Sequence, residues 1–97
     1  MAEVRANLHM WSIYFLESLK NKKIYSGFTE KKPQERLKEH NAGLNKWTRE
    51  NGPFEILYYE EYICKGDAMK REKFYKTGIG RMIRNKIIEA VRNLKNK

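Results

Sequence analysis

This chain has few of the features that staple or anchor a small protein. It contains one cysteine, Cys64, so no disulfide can form within it, and no Cys/His cluster has the spacing of a zinc site. That usage suits an intracellular, cytoplasmic chain without structural metal. Its apolar runs are too short to span a bilayer. Met1 to Met10 lacks the apolar stretch of a signal peptide, and residues 1–9 are expected to be a flexible lead-in. Acidic residues are scarce too: 12 Asp and Glu stand against 21 Lys and Arg, for a net charge of +9. So basic a chain favours a polyanionic partner, either nucleic acid or an anionic membrane face.

Ninety-seven residues, 40% hydrophobic and 12% aromatic, make one folded domain with a single modest core. Met10 to Leu19 alternates Trp11, Ile13 and Phe15 with Ser12, Tyr14 and Glu17, the period of a strand. Lys20-Asn21-Lys22-Lys23 is a polar turn, after which Ile24, Ser26 and Phe28 alternate with Tyr25 and Gly27. Two such runs predict a β-hairpin, with Tyr14 and Tyr25 on one face if the register permits. Pro33 suits the first turn of a helix ending near Asn41-Ala42-Gly43, with Arg36 and His40 on one side of it. Leu44 to Pro53 reads as a basic loop and Phe54 to Ile63 as a third strand. Asp67 is the expected N-cap of a helix running to about Lys76. Thr77-Gly78-Ile79-Gly80 reads as a break before a last helix from about Arg81. That helix carries an apolar stripe of Ile83, Ile87, Ala90, Val91 and Leu94. The expected fold is α+β: a small three-stranded, mainly antiparallel sheet flanked by three helices, β-β-α-β-α-α.

One residue stands in an unexpected place. At about 100° per residue, the helix after Asp67 puts Glu72 in the arc of Ala68, Met69 and Tyr75, facing the sheet. A carboxylate turned inward in a basic protein needs a cation. Arg36 is one answer and a bound metal the other. A single carboxylate suits Mg²⁺, which keeps most of its waters and takes substrate phosphates as ligands; it makes a poor zinc or calcium site.

Ser12-Ile13-Tyr14 and Tyr25-Ser26-Gly27 are followed by Arg36-Leu37-Lys38-Glu39-His40-Asn41, Lys70-Arg71-Glu72-Lys73 and Lys76-Thr77-Gly78-Ile79-Gly80-Arg81. Together these motifs resemble the GIY-YIG nuclease family, specifically its small single-domain bacterial members, which are similar to the N-terminal nuclease domain of the excision-repair endonuclease. The likeness covers about residues 10 to 90. Two positions depart from the pattern: Ser12 replaces the first motif's glycine and Ser26 the second motif's isoleucine. A core-facing, unpaired hydroxyl at Ser26 would cost about 1–3 kcal/mol.

The resemblance implies hydrolysis of a DNA phosphodiester by an in-line water with one divalent ion, Mg²⁺ or Mn²⁺. Tyr25 would orient or deprotonate the water. A free phenol, with a pKa of about 10, then needs a nearby cation or metal-bound water. Tyr14 would help position the nucleophile, and Arg36 would bind the scissile phosphate. His40 would hydrogen-bond that phosphate or share the water's proton, and Glu72 would hold the metal. A late asparagine often completes the family site; Asn85 is the nearest match. Lys46, Arg49, Lys73, Lys76 and Arg81 are suited to flanking phosphates, and Trp47 to stacking on a base. No helix-turn-helix or finger is present to read bases. Branched, nicked or damaged DNA in repair or recombination is therefore the expected substrate. A non-catalytic nucleic-acid-binding module acting with a protein partner accounts for the charge equally well, and a homodimer stays open. The last helix has no aromatic anchor on its apolar stripe, which argues against a membrane surface.

Overall fold

The computed structural model describes residues 9–96; of the expected lead-in, residues 1–8 lie outside that range. Strands β1 (Trp11–Ser18), β2 (Ile24–Thr29) and β3 (Phe54–Tyr62) form an antiparallel sheet in the order β2-β1-β3. Four helices accompany them among the described residues: α1 (Pro33–Asn41), α2 (Lys46–Asn51), α3 (Lys65–Phe74) and α4 (Gly78–Lys95). The α+β architecture is as expected, and the count of three helices is corrected to four.

The additional helix is α2, in the stretch read as a loop. Asn45 starts it: its side-chain oxygen accepts the Thr48 N–H at 2.9 Å, and the Thr48 hydroxyl accepts the Asn45 N–H at 3.3 Å. This reciprocal cap stabilises six residues that are too few to show a helical period. α3 begins at Lys65, so Asp67 lies inside its first turn rather than at its cap. The segment read as a break is the start of α4. There the Thr77 hydroxyl oxygen accepts the Gly80 N–H at 3.1 Å, as an N-cap does. Gly80 lets the two helices meet closely, since a Cβ there would lie 1.7 Å from the Phe74 carbonyl oxygen.

β1 is the middle strand and is covered on both faces, so every residue from Ser12 to Ser18 is buried. On one face Tyr14, Leu16 and Phe54 pack with Tyr25, Ile56 and Leu37 of α1. On the other, Ile13, Phe15 and Leu57 pack with Tyr75 and with Ile88 of α4. A bulge in the β1–β3 pairing, between Phe15 and Leu16, turns two successive residues of β3, Leu57 and Tyr58, toward the second core. The buried arc of α4 passes through Arg84, Ile87, Ile88 and Val91, one step round from the expected stripe; Ile83, Ala90 and Leu94 are exposed. Near its end Arg92 donates through Nε to the buried Glu17 carboxylate at 2.6 Å, tying α4 to β1. No helix among the described residues is long and apolar enough to cross a membrane.

Candidate functional site

The hairpin register sets Tyr14 opposite Gly27. The tyrosine lies directly over the glycine: a Cβ at position 27 would be 2.2 Å from both Tyr14 Cζ and its hydroxyl oxygen. A residue without a side chain is what lets the ring come down. The Tyr14 hydroxyl is 3.0 Å from His40 Nε2, which joins β1 to the last turn of α1. Tyr25 completes the group, its ring centroid 6.5 Å from that of Tyr14 and 4.6 Å from that of His40. Burial pushes the Tyr14 phenol up, with the Arg36 guanidinium beside it opposing the shift. Burial, helped by Arg36, pushes the His40 imidazole down. A protonated phenol and a neutral imidazole suit one arrangement: Tyr14 donates to Nε2 and the ring proton sits on Nδ1. His40 is 3% exposed, so its burial stands against the direct phosphate contact expected of it.

Arg36 is half-buried, and its Nη1 donates to Glu39, whose other oxygen accepts from Lys31. Lys31 and Arg36 hold the Glu39 carboxyl below the ordinary range. Arg36 also lines a hollow with Trp11, Phe28, Thr29 and Lys65, whose ammonium lies 5.2 Å from the Trp11 ring centroid. On α2, Trp47 lies tilted against Tyr25 with ring centroids 5.3 Å apart and stacks on Phe54 at 5.6 Å. The indole expected to stack on a base thus packs on protein rings, keeping 36% of its surface exposed. Lys46 and Arg49 flank it; Lys46 lies 3.8 Å from Glu50, and Arg49 donates to the Gly43 carbonyl at 3.1 Å.

Glu72 lies elsewhere. It is half-buried and has no ion-pair partner among the described residues, so Arg36 is not its counter-ion. It lines a hollow of about 190 Å³ walled by Ile13, Phe15 and Tyr75, with Ser26 and Gly27 contributed by β2, exposed Lys76 and Arg81 at the rim, and half-buried Arg84 completing the lining. Because strand residues alternate, this hollow is on the sheet face opposite Tyr14 and Tyr25. Tyr14, Tyr25, Arg36 and His40 group together, Glu72 stands across the edge strand β2, and Gly27 belongs to both sides. Ser26 is exposed and opens on the hollow, so the expected packing penalty does not arise. Among the described residues, no three His, Cys, Asp or Glu side chains come together, and the donors do not make a zinc or calcium cage. Glu72, in a hollow that Ser26 also lines, fits one hard ion whose other ligands are waters and a substrate phosphate.

Asn85 is exposed, accepts from Arg84 Nη2 at 3.2 Å, and lines a different hollow with Ile24 and Ile88. Its neighbour Arg84 is the residue that reaches the Glu72 hollow, and sequence reasoning missed it. The available signal was its spacing with Ile87, Ile88 and Val91, which puts a cation on the buried arc of α4. Lys73 is exposed on α3, and Lys76 and Arg81 are exposed at the rim. Glu60 was missed as well. It accepts from Tyr58 at 2.7 Å, Tyr62 at 2.5 Å, Arg71 Nε at 3.0 Å, and Tyr75. Burial raises its carboxyl, but these four donors outweigh burial and lower it. Burial and the Glu60 hydrogen bond push the Tyr58 and Tyr62 phenols up to about 12. Arg71 and Tyr75 bracket Glu72, so this cluster fixes the part of α3 that carries it.

Comparison with known proteins agrees with the motif spacing. The GIY-YIG catalytic domain matches residues 10–85. A UPF0213 protein of Oceanobacillus iheyensis is 38% identical over 61 residues, 62% of this chain and 69% of that protein. A UPF0213 protein of Clostridium perfringens is 31% identical over 80 residues, covering 81% of this chain and 80% of that one. Another from Streptococcus pyogenes serotype M1 is 40% identical over 65 residues, 66% and 68% of the two chains. No solved structure matches. With three-quarters of its length matched and both tripeptides paired across one hairpin, the chain belongs to the GIY-YIG nuclease family.

Proposed function

We propose that this protein is a metal-dependent DNA endonuclease whose site straddles the edge of β2. The observation that carries the reading is the placement of the family's residues on either side of that one exposed strand. Tyr25, Arg36 and the Tyr14–His40 pair lie on one side, and Glu72, without an ion-pair partner among the described residues, lies in a cation-rimmed hollow on the other. A nucleic-acid strand following an edge strand is within reach of groups from both faces. Arg36 binds the scissile phosphate as a planar fork, giving up part of its pairing with Glu39. Tyr25, half-buried where Tyr14 is fully buried, orients the attacking water. Tyr14 and His40 hold the hairpin and α1 in register and act through Tyr25. Glu72 holds Mg²⁺ or Mn²⁺, which when bound supplies Lewis-acid stabilisation of the phosphate and the leaving oxygen. Lys46 and Arg49 on one side, and Lys73, Lys76 and Arg81 on the other, track flanking phosphates. Among the described residues no helix-turn-helix or finger is present to enter a major groove, so selection by DNA structure, as in repair or recombination, fits best. The test is cleavage of supercoiled, nicked and branched DNA with Mg²⁺ or Mn²⁺, abolished in Glu72→Ala. Activity surviving that substitution refutes the metal role.

A second reading, a nucleic-acid-binding module without catalysis, is favoured by two observations: Arg36 is held by Glu39, and Glu72 is separated from the phenols by β2. It expects binding with no cleavage of any substrate under either metal. Glu72→Ala then leaves affinity equal or higher.

A further inference from the structure

We propose that Arg84, assisted by Arg81 and Lys76, forms a phosphate subsite at the Glu72 hollow that grips one phosphodiester of a bound nucleic-acid strand. The identity of the strand rests on the nuclease reading above; the subsite itself rests on three observations. Arg84 Nε is buried and, among the described residues, has no hydrogen-bond partner. A charged donor left unpaired is costly, and native proteins rarely tolerate one without an external acceptor. Arg84 also takes a place on the buried arc of α4, with Ile87, Ile88 and Val91, where an apolar residue would pack better. Finally, Lys76, Arg81 and Arg84 make no ion pair among the described residues, and Glu72 is the one opposing charge in the hollow. Three cations against one carboxylate leave a local charge of +2.

The wall chemistry strengthens the attraction. Ile13, Phe15 and Tyr75 supply a low-dielectric backing, against which a guanidinium and a phosphate interact more strongly than in open water. The hollow, at about 190 Å³, is several times the ~30 Å³ share of one water, so it has room for a phosphate group. Among the described residues the one hydrogen bond that Arg84 makes is from Nη2 to Asn85, which leaves Nη1 for an incoming phosphate oxygen, with the buried Nε reached once the side chain turns toward the strand. The same charges have a second consequence. A divalent ion at Glu72 is repelled by the three cations until a phosphate arrives, so Arg84 opposes the ion while it helps the strand.

The experiment separates those two signs. With EDTA present, binding of a fluorescein-labelled single strand and of a nicked duplex is followed by anisotropy across a salt series. Arg84→Gln is expected to weaken binding roughly tenfold. It should also reduce the slope of log K against log salt by about 0.7–0.9, the share of one phosphate contact. Without DNA, Mn²⁺ binding followed by electron paramagnetic resonance is expected to tighten in the same variant. A merely structural arginine would not move the two affinities in opposite directions. Arg84→Lys, which keeps the charge but not the fork, should retain the slope at lower affinity, and it serves if Arg84→Gln fails to fold by circular dichroism. Unchanged anisotropy and slope overturn the subsite. Absence of cleavage with both signs intact removes the nuclease reading and keeps the subsite; normal cleavage with unchanged anisotropy does the reverse.

Discussion

The contact of Tyr14 with Gly27 makes the two name-giving tripeptides a single packing unit. Gly27→Ala would force a methyl into the space of a buried ring, and overpacking of this kind costs about 1–3 kcal/mol. The expected outcome is a lower urea midpoint together with loss of cleavage, because the displaced Tyr14 releases His40 and disturbs Tyr25. A variant as stable and active as the parent would show that the tyrosine need not lie where it does. His40 adds a pH signature. Its folded pKa is depressed below the ordinary 6.5, so the native state prefers the neutral ring. Above 6.5 folded and unfolded chains carry the same charge there, and no stability depends on it. As pH falls through 6.5 the unfolded chain takes up the proton first, and stability declines until the folded pKa is passed. Chemical denaturation at pH 7.5 and pH 5 should show this decline, and His40→Gln should flatten it. The raised phenol of Tyr14 gives the opposite limb: stability falls as pH rises above 10, where the unfolded chain loses that proton first.

At the level of elements, α3 is positioned from outside by β3. The pattern Tyr58-x-Glu60-x-Tyr62 sets two phenols beside one carboxylate on a strand face, and α3 brings Arg71 and then the Tyr75 hydroxyl to it. Glu60→Gln removes the charge and keeps the shape. The Tyr58 and Tyr62 phenols should then return from about 12 toward 10, visible in an ultraviolet titration, with a stability loss of about 2–3 kcal/mol. A titration curve identical to the parent's would mean that the carboxylate is not their partner in solution. Thr77→Ala should cost about 1 kcal/mol by removing the α4 cap. These elements also show what could be read in advance. The hairpin was legible because period-two alternation in Trp11–Phe15 and Ile24–Phe28 has strong contrast, and it placed Tyr14 and Tyr25 on one face. α2 was not, since its six residues declare themselves only through the cap at Asn45. The inward turn of Glu72 was legible from helix phase. That phase cannot say which face of the sheet a helix covers, so the separation of Glu72 from the phenols by β2 was hidden. Arg84 was hidden by the same α4 phase shift that exposed Ile83 and Leu94.

Over the whole molecule, cations lie on both sides of β2 rather than on a single helix face. Lys46 and Arg49 lie on the Tyr25 side, while Lys76, Arg81 and Arg84 ring the Glu72 hollow. Such a distribution acts through counterion release: each phosphate neutralised on duplex DNA contributes about 0.9 to the slope of log K against log salt. The longest dimension of the molecule is 44 Å, and at about 3.4 Å per base pair one copy reaches at most about 13 base pairs. The slope measured on short duplexes should therefore grow with length up to that limit and then stop, while affinity rises further only in proportion to the number of registers available. Anisotropy on duplexes of increasing length, at several salt concentrations, distinguishes the cases. A slope that keeps climbing beyond that length would mean that a second copy joins the first on the same DNA, a route by which edge-strand sites could cut both strands of one duplex. A slope that stops as expected assigns the whole polyanion contact to one chain, and with it the burden of aligning both faces of β2 on a single phosphodiester.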